Sequence, residues 1–298
     1  MRLMGTHIRS WMFVPGNRQR FIDKAFDESR PDAVFLDLED GVPPDEKPAA
    51  RALIAAALER PVEGVLRYVR VNRVGSAWWR LDVAQVPARG LDGVCIPKVE
   101  TPDEIAQMAR ELDRFEDKAG IERGQTQILC AIESALGLVR AVELATAHSR
   151  VAGLMFGAED FALDLGLGTQ REGEARELVY ARSALVVAAA SAGRMSVDGV
   201  FPDLQDEAGF LADVLQARRL GFTGKATFHP KQIPGINAAF VPSAAELAYA
   251  RRVVEAFEAA QARGDGAVAL GGQLVDLPIV VRAQRLLEAA NRTASDYP

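Results

Sequence analysis

Short apolar runs bounded by turn residues recur along the chain: "SWMFVPG" (10–16), "AVFLDLE" (33–39), "LRYVRVN" (66–72), "GVCIPKV" (93–99), "QILCAIE" (127–133), "VAGLMFG" (151–157), "SVDGV" (196–200) and "GKATFH" (224–229). Each has the length of a strand and is rich in branched or aromatic side chains. Between them lie longer stretches with apolar residues at helical spacing, such as "TPDEIAQMARELDRF" (101–115) and "DEAGFLADVLQARRLG" (206–221). The first opens with Thr101 and Glu104 in capping-box positions and Pro102 just inside the helix. Eight strand-and-helix units in about 230 residues fit a (β/α)8 TIM barrel of the α/β class. A doubly wound open sheet is the alternative, but no glycine-rich dinucleotide fingerprint follows the first run.

After the eighth run, Ser243 and Glu246 are spaced as a second capping box. A glycine-rich turn, a short apolar run and a last helix beginning near Asp276 follow. This predicts a TIM-barrel domain over 1–240 and a C-terminal helical extension over 241–298, which packs on a neighbouring subunit or folds over the barrel mouth.

Composition narrows the partners. The chain has 298 residues, 49% of them apolar, enough for a substantial core. Its net charge is −6 and no Lys or Arg block stands out, which argues against nucleic acid. No run approaches the roughly 18–20 apolar residues of a membrane span, and "MRLMGTHIRSW" lacks the apolar stretch of a signal peptide. A cytoplasmic protein with no membrane partner is expected. Cys95 and Cys130 sit singly in apolar runs and read as reduced core residues.

Barrel active sites form at the C-terminal ends of strands, so polar groups there are the candidates. In "FLDLEDG", a period of two puts Phe35, Asp37 and Glu39 on one face and Val34, Leu36 and Leu38 on the other. Two carboxylates then face the lumen, with Asp40 at the rim. The other run ends supply Arg70 and Asn72, Lys98 and Glu100, Glu133, Glu159 and Asp160, Asp198, and His229. A lone strand-end carboxylate commonly caps the next helix, the plainer reading for Asp198 and Glu100. His229, before Pro230, reads as structural. Glu133 is a poor cap beside Ser134. Six or more carboxylates at one barrel end repel one another unless a cation sits among them. Oxygen ligands without a His or Cys cluster favour Mg2+, with Mn2+ as the other choice. Arg70 beside such a site would stabilise negative charge developing on a substrate oxygen. The class is a lyase, aldolase or enolising enzyme.

"RSWMFVPGNRQRFIDKA", "AVFLDLEDGVPPDEK", "VRVNRVGSAWWRLD", "IPKVETPDEI", "AIESALGLV", "GAEDFALDLG" and "ATFHPKQI", in that order, resemble the citrate lyase β-subunit-like family of the HpcH/HpaI aldolase superfamily. The match runs from about Arg9 to Leu286. The resemblance implies a TIM barrel with a C-terminal extension, assembled as a homotrimer or hexamer. It implies a carbon–carbon lyase that reversibly cleaves a β-hydroxyacyl thioester of the malyl, citramalyl or citryl type. It implies Glu133 of "AIES" and Asp160 of "GAED" as metal ligands, Arg70 of "VRVN" as the catalytic arginine, and Phe13, Arg18 and Lys24 as contacts to coenzyme A. Relatives carry "DGxMID" near the C-terminus, whose last aspartate reaches into a neighbouring subunit's site as acid or base. Here "GGQLVD" keeps Asp276 but has Gly271 in place of the first aspartate.

The implied chemistry is a retro-Claisen cleavage to a 2-keto acid and the enolate of an acyl thioester. Arg70 would steady the enolate oxygen and Asp276 would protonate its carbon. Asp37, Glu39 and Asp40 complete the catalytic group by holding water at the metal and orienting Arg70. Asn72, Lys98 and Glu133 are expected at the substrate, Glu159 as a brace for its loop, and Asp164 as a structural residue. Three rivals stand beside this reading: a class II aldolase on free 2-keto acids, the β subunit of an acyl-carrier-protein-linked citrate lyase complex, and a non-catalytic barrel. The basic cluster Arg18, Arg20 and Lys24 with Phe13 favours the thioester.

Overall fold

The structure, a computed structural model, describes residues 8–86, 89–168 and 175–295. Clustering of contacts divides the chain into two compact units, one of them Ile8–Ala238 and the other described from Ala239 to Ser295.

In the first unit the strands are β1 (Ser10–Pro15), β2 (Ala33–Asp37), β3 (Leu66–Arg70), β4 (Gly93–Ile96), β5 (Gln127–Ile132), β6 (Val151–Phe156), β7 (Met195–Asp198) and β8 (Gly224–Thr227). Each pairs in parallel with the next, and β1 closes on β8, so the barrel expected from the sequence is formed. The helices between them are α1 (Gln19–Lys24), α2 (Lys47–Leu58), α3 (Trp79–Gln85), α4 (Pro102–Ala119), α5 (Ala135–Val139), α6 (Ala141–Thr146), α7 (Ala158–Asp164), α8 (Val179–Ser191) and α9 (Glu207–Leu220), with α10 (Ile233–Ala239) after β8. A parallel sheet covered by helices buries both strand faces, which is why runs such as Ala33–Asp37 are buried at every position. Aromatic rings fill the interior between β1, β2 and β3: Trp11 stacks on Phe35 at 5.0 Å between centroids and meets Tyr68 edge-on at 5.1 Å. The Thr101–Glu104 capping box starts α4 with Pro102 in its first turn, as its sequence signals.

Strands end sooner than the apolar runs. Leu38 N still donates to Arg70 O across the β2–β3 pair. The carbonyls of Leu38 and Glu39 instead accept from the Lys47 ammonium at 2.6 and 2.8 Å, so pairing stops and the polar residues stand on loops. At the opposite end of the barrel, Arg150 is buried between Glu116 (2.6 Å), Asp113 and the Thr126 carbonyl (3.0 Å).

The second unit contains α11 (Ala244–Gln261), a hairpin of β9 (Val268–Leu270) and β10 (Gln273–Val275), and α12 (Leu277–Ser295). Its core is Ala250, Val253, Phe257, Val275, Val280 and Ala283. The Ser243–Glu246 capping box is present. The hairpin turn is Gly271–Gly272, both with positive φ (58° and 81°), the pattern of a two-residue turn whose backbone favours glycine. Gly271 therefore serves the hairpin turn, and Asp276 follows β10, its carbonyl accepting from Ile279 and Val280 as α12 begins. Among the described residues no helix is long and apolar enough to cross a membrane.

Candidate active site

The mouth of the barrel is organised around Arg70, at the end of β3. Its guanidinium grips Asp37 with two bonds (Nε to Oδ1 and Nη2 to Oδ2, both 2.7 Å) and reaches Glu39 at 3.1 Å. It lies over the Phe13 ring, 4.8 Å from the centroid. Burial alone would favour the neutral base, but Asp37 and Glu39 hold Arg70 charged. Asp37 is fixed in turn by the N–H groups of Glu39 (2.9 Å) and Gly41 (3.0 Å).

Lys98 supplies a second cation. Its ammonium meets Glu39 at 2.8 Å, Asp40 at 3.0 Å and Asp160 at 3.6 Å, while its backbone N–H donates to Glu133 at 2.8 Å. Lys98 has φ +54°, a left-handed conformation that costs energy for a side-chain-bearing residue and turns its N–H to Glu133. Burial lowers a lysine's pKa, but the bonds to Glu39 and Asp40 outweigh it and hold Lys98 charged. Burial pushes Glu39's carboxyl above its usual range despite Arg70 and Lys98. For exposed Asp40 the bond and charge of Lys98 outweigh desolvation and hold it below.

Glu133 follows β5 and is 5% exposed. Gly157 lets it in: a Cβ on that glycine would lie 2.2 Å from Glu133 Cγ. Burial first, then the charges of Glu39 and Asp160, raises the Glu133 carboxyl to about 7, with Arg70 pulling the other way. Glu133 and Asp160 line one cavity of about 260 Å³ with Asp37, Arg70, Phe13 and Val200. Among the described residues no three of Asp, Glu, His and Cys gather closely enough to cage an ion. A metal here would rest on two carboxylates with room beside them, a hard-oxygen set that suits Mg2+, which leaves its other positions to water and substrate. A cation beside them would offset the part of that rise that comes from the charges of Glu39 and Asp160.

Not every strand-end polar group joins this cavity. Asn72 stands beneath it, 6% exposed, its amide donating to Leu38 O (2.9 Å) and Asp82 (2.7 Å). Asp198 turns away from the cavity and is buried between Arg182 of α8 (2.7 Å) and Lys225 of β8 (2.6 Å), so it is not a helix cap. Glu100 accepts from Ser134 (2.8 Å) and pairs with Arg73 (3.1 Å). His229 accepts from Lys231 N through Nδ1 at the start of a short turn, the structural role expected. The six or more carboxylates expected to repel one another at this end are therefore not left unopposed: part of their charge is neutralised by Arg70, Lys98, Arg182 and Lys225.

Phe13 and Lys24 line a second, mostly apolar cavity of about 320 Å³ with Phe21, Phe228 and His229. Phe13 and Phe228 border both cavities. Arg18 is exposed at the start of α1. Glu159 is exposed at the rim of the first cavity. Asp164 joins two helices, because its carboxylate accepts from Ala135 N at 2.7 Å and ties α7 to the start of α5, next to Glu133. Lys47, Arg51 and Asp82, none of them among the expected site residues, lie buried under the end of β2. The available signal was a lysine and an arginine four apart in "KPAARALIAAAL", an otherwise apolar helix.

Fold and site together define a (β/α)8-barrel enzyme whose mouth sets a desolvated arginine among carboxylates. A family model described as HpcH/HpaI aldolase/citrate lyase matches residues 9–230. The citrate lyase subunit beta of Escherichia coli is 40% identical over 95% of this chain and 93% of its own. The chain belongs to the HpcH/HpaI aldolase/citrate lyase family and is by class a carbon–carbon lyase. The L-malyl-CoA/beta-methylmalyl-CoA lyase of Rhodobacter capsulatus is 33% identical over 95% of this chain and 94% of its own. Among solved structures, CitE of Mycobacterium tuberculosis, in complex with magnesium, acetoacetate and coenzyme A, has a TM-score of 0.79 at 31% identity. That alignment covers 95% of this chain and 98% of that one.

Proposed function

We propose that this chain cleaves, or in reverse forms, a β-hydroxyacyl thioester of the malyl, citramalyl or citryl type, with Mg2+ held by Glu133 and Asp160. The observation that carries the reading is Arg70, desolvated and held by Asp37 and Glu39, in the same cavity as those two carboxylates. The magnesium in the tuberculosis structure and the thioesters named for the malyl-CoA relative support it. So does the apolar cavity beside Phe13 and Lys24, which suits the uncharged arm of a coenzyme A thioester.

Bound there, Mg2+ would supply Lewis acidity to the hydroxy-acid end of the substrate. As the carbon–carbon bond breaks, the substrate hydroxyl gives its proton to solvent and becomes the keto oxygen of the 2-keto acid, and Arg70, already charged and desolvated, stabilises the oxygen of the enolate left on the acyl thioester. Asp37 and Glu39 keep the guanidinium aimed so that little reorganisation accompanies that charge. Lys98 holds Glu39 and Asp40 and sits at the substrate. Asp276, from a neighbouring subunit of a homotrimer or hexamer, delivers a proton to the enolate carbon and removes it in the reverse direction. Phe13, Arg18 and Lys24 contact the coenzyme.

Coenzyme A esters of malate, β-methylmalate, citramalate and citrate, supplied with Mg2+, should release a 2-keto acid in at least one case. Turnover of a free hydroxy-keto acid and of none of these would hand the site to a class II aldolase. The identity to citrate lyase β subunits exceeds that to the malyl-CoA lyase, so an acyl-carrier-protein ester is the second reading and belongs in the panel. Calorimetric Mg2+ titration should lose its signal in Asp160→Ala and keep it in Glu159→Ala. Unchanged binding in Asp160→Ala would remove the metal assignment.

A further inference from the structure

Beneath the acidic end of β2 lies a buried polar network that none of the roles above uses. Lys47, the first residue of α2, is 5% exposed, and its ammonium donates to Leu38 O (2.6 Å) and Glu39 O (2.8 Å). Asn72 donates to the same Leu38 carbonyl at 2.9 Å. Asp82 accepts from Asn72 N (2.8 Å) and from Arg51 Nε (2.8 Å), and both Asp82 and Arg51 are buried. Lys47 and Arg51 against Asp82 leave positive charge directly under Asp37, Glu39 and Asp40.

A buried lysine is costly, and holding two helices to a barrel does not require one. What this ammonium does is specific. It takes the two carbonyls released where β2 leaves its ladder with β3, and these lie in the stretch that carries Asp37 and Glu39. The same stretch folds its own N–H groups back on Asp37. A shift of about 1 Å in it would break the two-bonded grip on Arg70, and misplacements of that size are costly to catalysis. We propose that Lys47, with Asn72 sharing its acceptor, is a positioning residue: it clamps the Leu38–Glu39 backbone so that Asp37 and Glu39 hold Arg70 toward the cavity.

The test compares Lys47→Met and Asn72→Ala with Arg150→Met, which breaks a buried charge network at the other end of the barrel. On folded enzyme, Lys47→Met should lower kcat about thirtyfold with KM within about threefold, and Asn72→Ala should do the same more weakly. Amide exchange over residues 37–42 should quicken about tenfold in both. Arg150→Met should melt earlier with kcat and that exchange unchanged. Folded Lys47→Met with kcat within about threefold of wild type, whatever its exchange, overturns the proposal. If Lys47→Met does not fold, Asn72→Ala decides by the same criteria. Only the kcat arm rests on the lyase reading. A wild type that turns over no thioester sinks that reading, while exchange over 37–42 still decides the clamp: unchanged in the variants, the clamp is wrong.

Discussion

Two strand ends at the same face of the barrel carry an aspartate after an apolar run, and they have opposite fates. At the end of β7, Asp198 is sealed in: Arg182 from α8, Asp213 from α9 and Lys225 from β8 surround it, all nearly fully buried, two carboxylates against two cations. At the end of β2, Asp37 and Glu39 pair with Arg70, and Glu39 and Asp40 with Lys98; of this group Asp37 and Arg70 line a cavity with Glu133 and Asp160, while Lys47 lies behind it on backbone carbonyls. Balance makes the first a piece of structure. The second leaves carboxylates and a guanidinium open to a cavity. The difference comes from what packs behind each strand: charged side chains from both helices at β7, and at β2 a lysine that bonds to backbone carbonyls and leaves Asp37 to Arg70 and the cavity.

The comparison breaks most sharply at Arg70. Arg70→Lys keeps the charge but loses the two-bonded fork, and kcat should fall about a thousandfold in steady-state assays while the fold survives. A fall of less than tenfold would mean that the cavity does not use the guanidinium. At the sealed end the effect should appear in stability instead. Asp198→Asn leaves Lys225 and Arg182 short of a counter-charge and should cost about 3–5 kcal/mol in urea unfolding, with kcat per folded molecule unchanged.

The smallest and most diagnostic difference is in pH dependence. Glu133 is raised from 4.5 to about 7, so the folded state holds its proton more tightly than the unfolded chain. Its contribution in the metal-free protein is full below about pH 4.5 and is lost as pH rises through about 7. Asp198 is lowered from 3.8: although burial alone would raise it, the charges of Lys225 and Arg182 prevail. Its contribution is present above about pH 4 and is lost as pH falls through its folded value. Unfolding without metal between about pH 5 and 8 should therefore show a destabilising slope, to which Glu39 also adds, that Glu133→Gln reduces and Asp198→Asn does not. On the proposed ligand pair, Mg2+ affinity should weaken about tenfold per unit below pH 7, as Glu133 takes up a proton. A flat affinity from about pH 6 to 8 would separate Glu133 from the metal.

Much of this molecule was legible in one dimension. The eight apolar runs, the helical periodicity between them and both capping boxes are local properties of the chain, set by side-chain period and hydrogen-bond spacing, and they specified the barrel. So was the setting of Asp37 and Glu39 on one face of their run, since a period of two fixes which residues of a strand lie together. What the sequence could not assign was the partner of each strand-end charge. Asp198 and Asp37 look alike in their runs, and Asn72 looks as available as Arg70. Whether each meets a cavity or a buried cation depends on helices many residues away: Lys47 and Arg51 on α2, Arg182 on α8, Asp213 on α9. Burial and electrostatic pairing are properties of that three-dimensional packing, so only the tertiary structure decided which carboxylates are bound into the scaffold and which remain open to the cavity.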